Sequence, residues 1–278
     1  MNFVQVFSDV IFQGGSLGKD TMLADYSDVD LVAFVNPPDL EPISEYWSPR
    51  DYKNQLKTVI KEFEDSLFEL PSVTIIRSNE YLVNFAVKVG KRTVSVDLLP
   101  TANNDHPDVY SEMMNQTSSH QERGFYSASF VEKQRDFVID QPDDVRNLIR
   151  MVKYWAYTRL PKRLQKSYPL ELITIYCWEK AGEPESFEIV EGLKAVLEVL
   201  ESQPWKRRKF WTDYYSKDFA LDIIKTLGMK YPVMLDPANP TNNVLTVYQQ
   251  GDNMKKIQNA ARTTLQTPLL CDAYSLLT

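Results

Sequence analysis

A glycine-rich turn followed closely by two acids on one strand constrains this chain more than any other feature. The turn reads GGSLGK from Gly14, and the strand-like run DVDLVAFV over 28–35 carries Asp28 and Asp30. Residues two apart on a strand project to the same face, so these two carboxylates point together and repel each other. A cation can neutralise such a pair, and Mg²⁺ prefers carboxylate ligands. The pattern predicts a sheet that borders a metal site.

A third acid, Asp97, ends the strand-like run 93–97 and would lie beside the pair if that strand neighbours 28–35. Three carboxylates can hold two metal ions about 3.5 to 4 Å apart, which activates an attacking hydroxyl and stabilises a leaving phosphate. The glycine turn adds backbone N–H groups that can approach phosphate, and Ser16 adds a hydroxyl donor. Each feature alone is more typical of an ordinary loop or strand end. Together they predict phosphoryl or nucleotidyl transfer.

The rest of the chain divides into a mixed half and a helical half. Apolar residues at helical spacing over 50–70 predict a helix that packs on the sheet. Strands are predicted over 72–77, 81–88 and 92–99, the last two joined in a hairpin at Gly90-Lys91. Helices are predicted over 127–138, 143–159, 169–181 and 186–202. We therefore expect an α+β protein with a mixed lobe, 1–105, whose sheet is mainly antiparallel, and a mainly helical lobe, 106–278.

Composition argues against several other classes. The two cysteines, Cys177 and Cys271, lie far apart, and neither His106 nor His120 has a cysteine neighbour. The sequence therefore predicts no disulfide framework and no four-ligand zinc site. It contains no apolar run of the ~20 residues that span a bilayer and opens without a basic leader, so we expect a cytoplasmic or nuclear protein with no membrane partner. A net charge of -7 means that nucleic-acid binding would need a local basic patch.

The glycine turn, the Asp-x-Asp pair and the later strand aspartate resemble the nucleotidyltransferase superfamily of poly(A) polymerases, cyclic GMP-AMP synthases and oligoadenylate synthases. Further segments, in the same order over nearly the whole chain, narrow the resemblance to the 2′-5′-oligoadenylate synthases. These segments are GGSLGKDTMLADYSDVDLVAFV, VDLLP, QRDF, LIRMVKYW, YPLELITIYCWE, WTDYY and PVMLDPANPTNN.

The resemblance implies a bilobal nucleotidyltransferase fold and an enzyme that polymerises ATP into 2′-5′-linked oligoadenylates without a template, releasing pyrophosphate. It implies that Asp28, Asp30 and Asp97 bind two Mg²⁺ ions, with Mn²⁺ as an alternative. The residues that it assigns to ATP binding are Gly15, Ser16, Arg150, Lys153, Ser167 and Tyr168. The regiochemistry depends on how the acceptor ribose is oriented, so the residues alone leave a 3′-5′ linkage open.

Each of the later ATP-binding assignments has a simpler alternative. Arg150 and Lys153 lie three apart on a predicted helix and could reach phosphate together, or they could belong to a solvated charged face. Tyr168 could stack on adenine or pack in the core. Ser167 stands where the family typically has glutamine, and Gln165 could substitute from a shifted loop. Glu171 is interpreted only as a helix N-terminal acid.

The positions that contact double-stranded RNA in vertebrate members differ here. The extra N-terminal helix of the family is largely missing, and Gln13, Ile139, Asp143 and Asp144 stand where the vertebrate pattern is basic. Each missing cation removes a phosphate contact, and such contacts dominate affinity for duplex RNA. The basic residues that remain are Arg135, Lys162, Arg163, Lys166 and the cluster 206–209. We therefore expect activity that does not need double-stranded RNA.

Two other functions stay open at this point. A cyclic dinucleotide synthase would carry a similar catalytic half, because members of the superfamily share it. A catalytically silent RNA-binding or scaffold protein is the third hypothesis. The retained acids, together with Ser16 and Lys153, argue against a silent protein.

Overall fold

The computed structural model describes residues 8–23, 28–43, 48–106, 108–117, 119–202 and 208–277, and the side chains of these residues except those of 8–10. By its internal contacts the chain divides into two compact units. Unit 1 comprises Met1–Lys19, Tyr26–Asp136 and Ala238–Asn242. Unit 2 comprises Asp20–Asp25, Phe137–Pro237 and Asn243–Thr278. Each unit therefore contains pieces that are separated in the sequence.

Unit 1 is built on a mixed sheet of five strands. The strands are β1 (Ser8–Gln13), β2 (Val29–Val35), β3 (Val73–Ser78), β4 (Val83–Val89) and β5 (Arg92–Thr101). Their order across the sheet is β1-β2-β5-β4-β3, in which β2 and β5 are parallel and the other neighbours are antiparallel. The strand of Asp97 thus neighbours the strand of Asp30, as the sequence predicts.

The hairpin between β4 and β5 is confirmed at Gly90-Lys91. Val89 pairs with Arg92 across the turn, and Gly90 has φ +61°, a left-handed conformation that glycine adopts without steric penalty. This two-residue turn defines the register of both strands.

The helices of unit 1 flank the sheet. They are α1 (Gly15–Gly18), α2 (Pro49–Phe68), α3 (Val109–Gln116), α4 (His120–Gly124) and the first part of α5 (Val131–Ile139). The long helix α2 begins after Ser48, whose side chain accepts a hydrogen bond from the Asp51 amide at 3.2 Å. Its apolar face, including Tyr52 and Leu56, is buried, and α2 contacts β3, β4 and β5. The predicted helix that packs on the sheet is confirmed.

Unit 1 continues past residue 105, where the sequence predicts a boundary between lobes. The Ser129 hydroxyl lies 2.7 Å from the Thr101 hydroxyl and accepts a hydrogen bond from Asn104 Nδ2 at 2.7 Å. The Tyr52 hydroxyl lies 3.4 Å from Thr101 Oγ1. These polar groups are buried, and separating them would leave donors and acceptors unsatisfied. The chain after residue 105 therefore stays with the sheet.

Unit 2 is mainly helical. Its helices after α5 are α6 (Asp143–Arg159), α7 (Ser167–Lys180), α8 (Ile189–Glu201), α9 (Lys217–Thr226), α10 (Asn253–Leu265) and α11 (Pro268–Cys271). Two short strands, β6 (Arg208–Lys209) and β7 (Val233–Met234), pair in parallel. The predicted helix over 127–138 begins as a 3-10 turn, Ser127–Phe130, that leads into α5.

Helices α6, α7, α8 and α10 enclose the apolar core of unit 2. Most residues of helix α7 are buried, and Cys177 is one of them. Cys177 is completely buried, and burial raises the pKa of its thiol to about 12, which disfavours the reactive thiolate. No helix among the described residues is both long and apolar enough to cross a bilayer.

Candidate active site

Strand register arranges a row of polar residues across the sheet of unit 1. Asp30 on β2 pairs with Asp97 on β5, and Asp97 pairs with Asn84 on β4. Asn84 in turn pairs with Arg77 on β3, and the Gly14 amide donates to the Asp30 carbonyl at 2.9 Å. Paired residues on neighbouring strands have adjacent side chains on the same face. The backbone ladder therefore places two acids side by side.

Asp97 is held in an environment that disfavours its negative charge. Burial raises the pKa of the Asp97 carboxyl, and the charge of Asp28 raises it further. A hydrogen bond from Asn84 Nδ2 to Asp97 Oδ1, 2.6 Å long, and the charge of Arg77 act in the opposite direction. A cation beside the acids would relieve the repulsion.

The chemistry of this group suits a hard cation. Asp28, Asp30 and Asp97 offer carboxylate oxygens only, the donor type preferred by Mg²⁺ and Mn²⁺ over softer metals. Among the described residues, no three or more His, Cys, Asp or Glu side chains already converge closely enough to hold a metal ion. The donor chemistry of the three acids therefore fits Mg²⁺ or Mn²⁺.

The glycine turn has a packing role that the sequence analysis missed. Gly15 has φ +56°, and a Cβ atom there would lie 1.7 Å from Asp30 Oδ2. Gly18 is equally confined, since its Cβ would lie 2.1 Å from the Gln13 carbonyl oxygen. Ser16, between them, is only 8% exposed. Gly15 is thus required so that the Asp30 carboxylate can lie against the turn. This packing role is separate from the predicted approach of the turn's backbone N–H groups to phosphate.

Arg150 and Lys153 on α6 contact the same short segment of unit 2. Arg150 Nη2 lies 2.9 Å from Asp20 Oδ1 and also donates to the Asp20 carbonyl. Lys153 Nζ donates to the Thr21 carbonyl at 2.8 Å. The predicted shared face of Arg150 and Lys153 is therefore present. A solvated face is wrong for Lys153, because this residue is 6% exposed.

Glu171 on α7 is the buried partner of Lys153. Its Oε1 atom lies 3.3 Å from Lys153 Nζ and accepts a hydrogen bond from Thr21 Oγ1 at 3.1 Å. Glu171 is 1% exposed, so its charge depends on these partners. The sequence analysis assigned Glu171 only to the helix dipole. The missed signal is a charged residue that stands alone in an apolar run.

Tyr168 has the predicted packing role, and its stacking on adenine stays a prediction. It is half-buried and packs against the core of unit 2, while its hydroxyl donates to Asp236 Oδ1 at 2.7 Å. Burial raises the pKa of Tyr168 well above its usual value, and the charge of Asp236 adds to the effect. Ser167 begins α7 and is exposed. Gln165 Nε2 donates to the carbonyls of Tyr157 and Leu160, so its amide already ties down the preceding loop.

Two of the residues at the predicted RNA-contact positions, Arg135 and Asp143, form contacts within the protein. The Arg135 guanidinium lies 5.3 Å from the centre of the Phe12 ring, and Arg135 Nη2 is 2.7 Å from Asp136 Oδ1. Asp143 forms an ion pair with Arg146. Of the basic cluster 206–209, residues 206 and 207 lie outside the described residues.

Residues 103–275 match the family model described as 2′-5′-oligoadenylate synthetase 1, domain 2, C-terminus. The chain is 30% identical to 2′-5′-oligoadenylate synthase 1A of Rattus norvegicus, over 93% of this chain and 76% of that protein. The corresponding Mus musculus protein is 30% identical, over 84% and 69%. A rat relative named inactive 2′-5′-oligoadenylate synthase 1B is 28% identical, over 92% and 72%.

Solved structures with lower identity share the fold. The CdnC:HORMA-deltaN complex of E. coli MS115-1 aligns with a TM-score of 0.60 at 22% identity, over 93% of this chain and 75% of that chain. Terminal uridylyl transferase 4 of Trypanosoma brucei with bound ATP aligns with a TM-score of 0.57 at 15% identity, over 94% and 86%. The family match, the identity to the rodent synthases and the fold together show that the chain is a template-independent nucleotidyltransferase and belongs to the 2′-5′-oligoadenylate synthase family.

Proposed function

We propose that this chain polymerises ATP into 2′-5′-linked oligoadenylates, with release of pyrophosphate and with two divalent metal ions, Mg²⁺ or alternatively Mn²⁺. One observation carries the proposal: Asp30 pairs with Asp97 in the parallel register of β2 and β5, and Asp28 acts electrostatically on Asp97. Like charges assembled in this way favour a bound cation.

Asp28, Asp30 and Asp97 would hold the ions. Bound metal would lower the pKa of the attacking ribose hydroxyl and stabilise the charge on departing pyrophosphate. Asn84 keeps Asp97 oriented through the 2.6 Å hydrogen bond, and Gly15 leaves space for the Asp30 carboxylate. Both residues thus support the acids.

Binding of ATP would use positive charge and an aromatic ring from unit 2. Arg150 and Lys153 would bind the triphosphate through charge-assisted hydrogen bonds to its oxygens. The Arg150 side chain is 29% exposed. The Tyr168 ring would stack on adenine, and Gly15, Ser16 and Ser167 would also contribute to ATP binding. The family match and the relatives named as synthases support ATP as the substrate.

The test is incubation of purified, nuclease-treated protein with ATP and Mg²⁺, followed by chromatography of the products and cleavage by linkage-specific nucleases. We expect 2′-5′-linked linear oligomers and pyrophosphate. Products that resist a 2′-5′-specific nuclease but yield to a 3′-5′-specific one would contradict the linkage. A cyclic dinucleotide from mixed nucleotides would favour the cyclic synthase instead, and absence of any product with ATP and Mg²⁺ or Mn²⁺ would favour a silent scaffold.

We propose further that double-stranded RNA is not required. Gln13, Ile139, Asp143 and Asp144 offer no cation to a duplex, and Asp143 is paired with Arg146. An RNA switch needs RNA to bind the active conformation better than the inactive one, and weak binding gives little such difference. ATP consumption at fixed salt should change less than about twofold as duplex RNA is added. A basal rate near zero that rises about tenfold or more would contradict this proposal.

A further inference from the structure

We propose that Asp236 is a positioning residue for nucleotide binding and acts through Tyr168. The proposal rests on the nucleotide-contacting role of Tyr168 proposed above. Asp236 follows β7 and is completely buried, whereas Tyr168, the second residue of α7, is half-buried. A hydrogen bond of 2.7 Å joins the Tyr168 hydroxyl to Asp236 Oδ1. A buried carboxylate thus holds the hydroxyl end of a side chain that is itself only partly buried.

Such a bond restricts the ring more than packing alone would. A tyrosine side chain turns about two torsions, and the torsion that rotates the ring has broad minima. Anchoring the hydroxyl removes most of that freedom, so that one plane of the ring is maintained. A hydrogen bond to a charged acceptor is also stronger than a neutral one. Stacking on a base requires a defined ring plane, so the anchor prepares Tyr168 before the nucleotide arrives.

The backbone of Asp236 is held independently of its carboxylate. The Tyr215 hydroxyl donates to the Asp236 carbonyl at 3.2 Å. The neighbouring Leu235 donates its amide to the Lys209 carbonyl at 2.9 Å and forms a bridge with Asn243. Loss of the carboxylate charge should therefore leave this part of the chain in place. Tyr215 offers a matched control, because its hydroxyl donates to the backbone carbonyl of the same residue.

The competing explanation is that Asp236 only stabilises the fold. A structural defect would lower the melting temperature and the amount of active enzyme, and it would reduce kcat. A positioning defect would instead raise KM for ATP and weaken binding of α,β-methylene-ATP, an analogue whose reacting bond is blocked. The two explanations also differ in coupling, since positioning through Tyr168 requires that the two residues act as one unit.

The experiment compares full-length Tyr168→Phe, Asp236→Asn, the double variant, Tyr215→Phe and Tyr168→Ala. We expect Tyr168→Phe and Asp236→Asn each to raise KM and the dissociation constant of the analogue by about three- to tenfold, the scale of one hydrogen bond. The double variant should be no worse than the poorer single variant. Tyr215→Phe should change both constants by less than about twofold, and kcat should change little throughout.

Each contrary outcome identifies what is wrong. If Tyr168→Ala leaves KM and analogue binding unchanged, the ring does not contact nucleotide, and both this inference and that part of the proposed function fail. If Tyr168→Ala weakens binding while Tyr168→Phe and Asp236→Asn do not, the positioning role of Asp236 alone is overturned. Additive effects in the double variant, or an equal effect from Tyr215→Phe, would also overturn it. A loss of kcat that follows the melting temperature would assign Asp236 to the fold.

Discussion

The two units hold their charged site residues by different means. In unit 1 the backbone ladder of β2, β4 and β5 sets Asp30 beside Asp97, so like charges are adjacent. In unit 2 the cations on α6 are matched with anions of the protein, Arg150 with Asp20 and Lys153 with Glu171. Strand pairing can force repelling groups together, whereas the helix residues are held by attraction between side chains.

This difference predicts opposite consequences for stability. Removing an acid from unit 1 relieves repulsion, so function should be lost without loss of stability. Removing the buried cation from unit 2 leaves a buried anion without its ion pair, so stability should be lost as well. The following variants test this contrast.

The largest expected effect comes from the acid pair. Asp30→Asn or Asp97→Asn should reduce pyrophosphate release by at least about 100-fold, because metal stabilisation is worth several kcal/mol. The melting temperature of the metal-free protein should stay the same or rise. A pyrophosphate assay and thermal unfolding in EDTA measure both. Near-normal turnover in either variant would contradict the two-metal assignment.

The buried pair of unit 2 should give the largest change in stability. Lys153→Met should lower the free energy of unfolding by about 3 to 5 kcal/mol, because it breaks a buried ion pair with Glu171. Chemical denaturation measures this change. The control is Lys61→Met, which removes an exposed partner of Asp65 and should leave the unfolding midpoint unchanged within error. Equal midpoints for both variants would show that burial of Lys153 does not matter.

Gly15→Ala tests whether the turn makes space for an acid. Its Cβ would displace the Asp30 carboxylate and would sit at φ +56°, so we expect a loss of about 1 to 3 kcal/mol and a strong loss of activity. Gly90→Ala is the matched control, since Gly90 has φ +61° with no atom within 4 Å of the added Cβ. Gly90→Ala should lose only the stability that the left-handed backbone conformation costs an alanine, and it should retain activity. Similar activities in the two variants would remove the packing role of Gly15.

The smallest expected effect is a dependence of stability on pH. The folded-state pKa of Asp97 is raised above its ordinary value of 3.8, mainly by burial, so the folded protein binds this proton more tightly than the unfolded chain. The protonated Asp97 carboxyl therefore stabilises the folded state at pH values below the ordinary pKa. This stabilisation is lost as the pH rises through the pKa of the folded state. The melting temperature of Asp97→Asn, measured relative to wild type in EDTA, should therefore rise as the pH increases above about 4. A constant difference would contradict the raised pKa.

The sequence predicts the strand-borne acids well because period-two alternation and a glycine turn are local signals. Asn84 could also have been found, because a two-residue hairpin at Gly90-Lys91 places it opposite Asp97. Other features depend on contacts that no local pattern contains. Thr21 meets Lys153 across 132 positions, and Tyr168 meets Asp236 across 68. The extent of unit 1 past residue 105 likewise depends on buried hydrogen bonds between distant residues, such as that of Asn104 with Ser129.

The interleaved composition of the units has a consequence for synthesis. Unit 1 includes Ala238–Asn242, and the Ala238 carbonyl accepts a hydrogen bond from the Tyr110 hydroxyl at 2.8 Å. A ribosome releases the chain from its N-terminal end, so unit 1 is complete only after this late segment has emerged. Unit 2 similarly includes Asp20–Asp25, which is made well before the rest of that unit. A nascent chain stopped after residue 136 should therefore remain sensitive to protease in its sheet, and most of the protection should appear only once residues beyond 242 have left the exit tunnel.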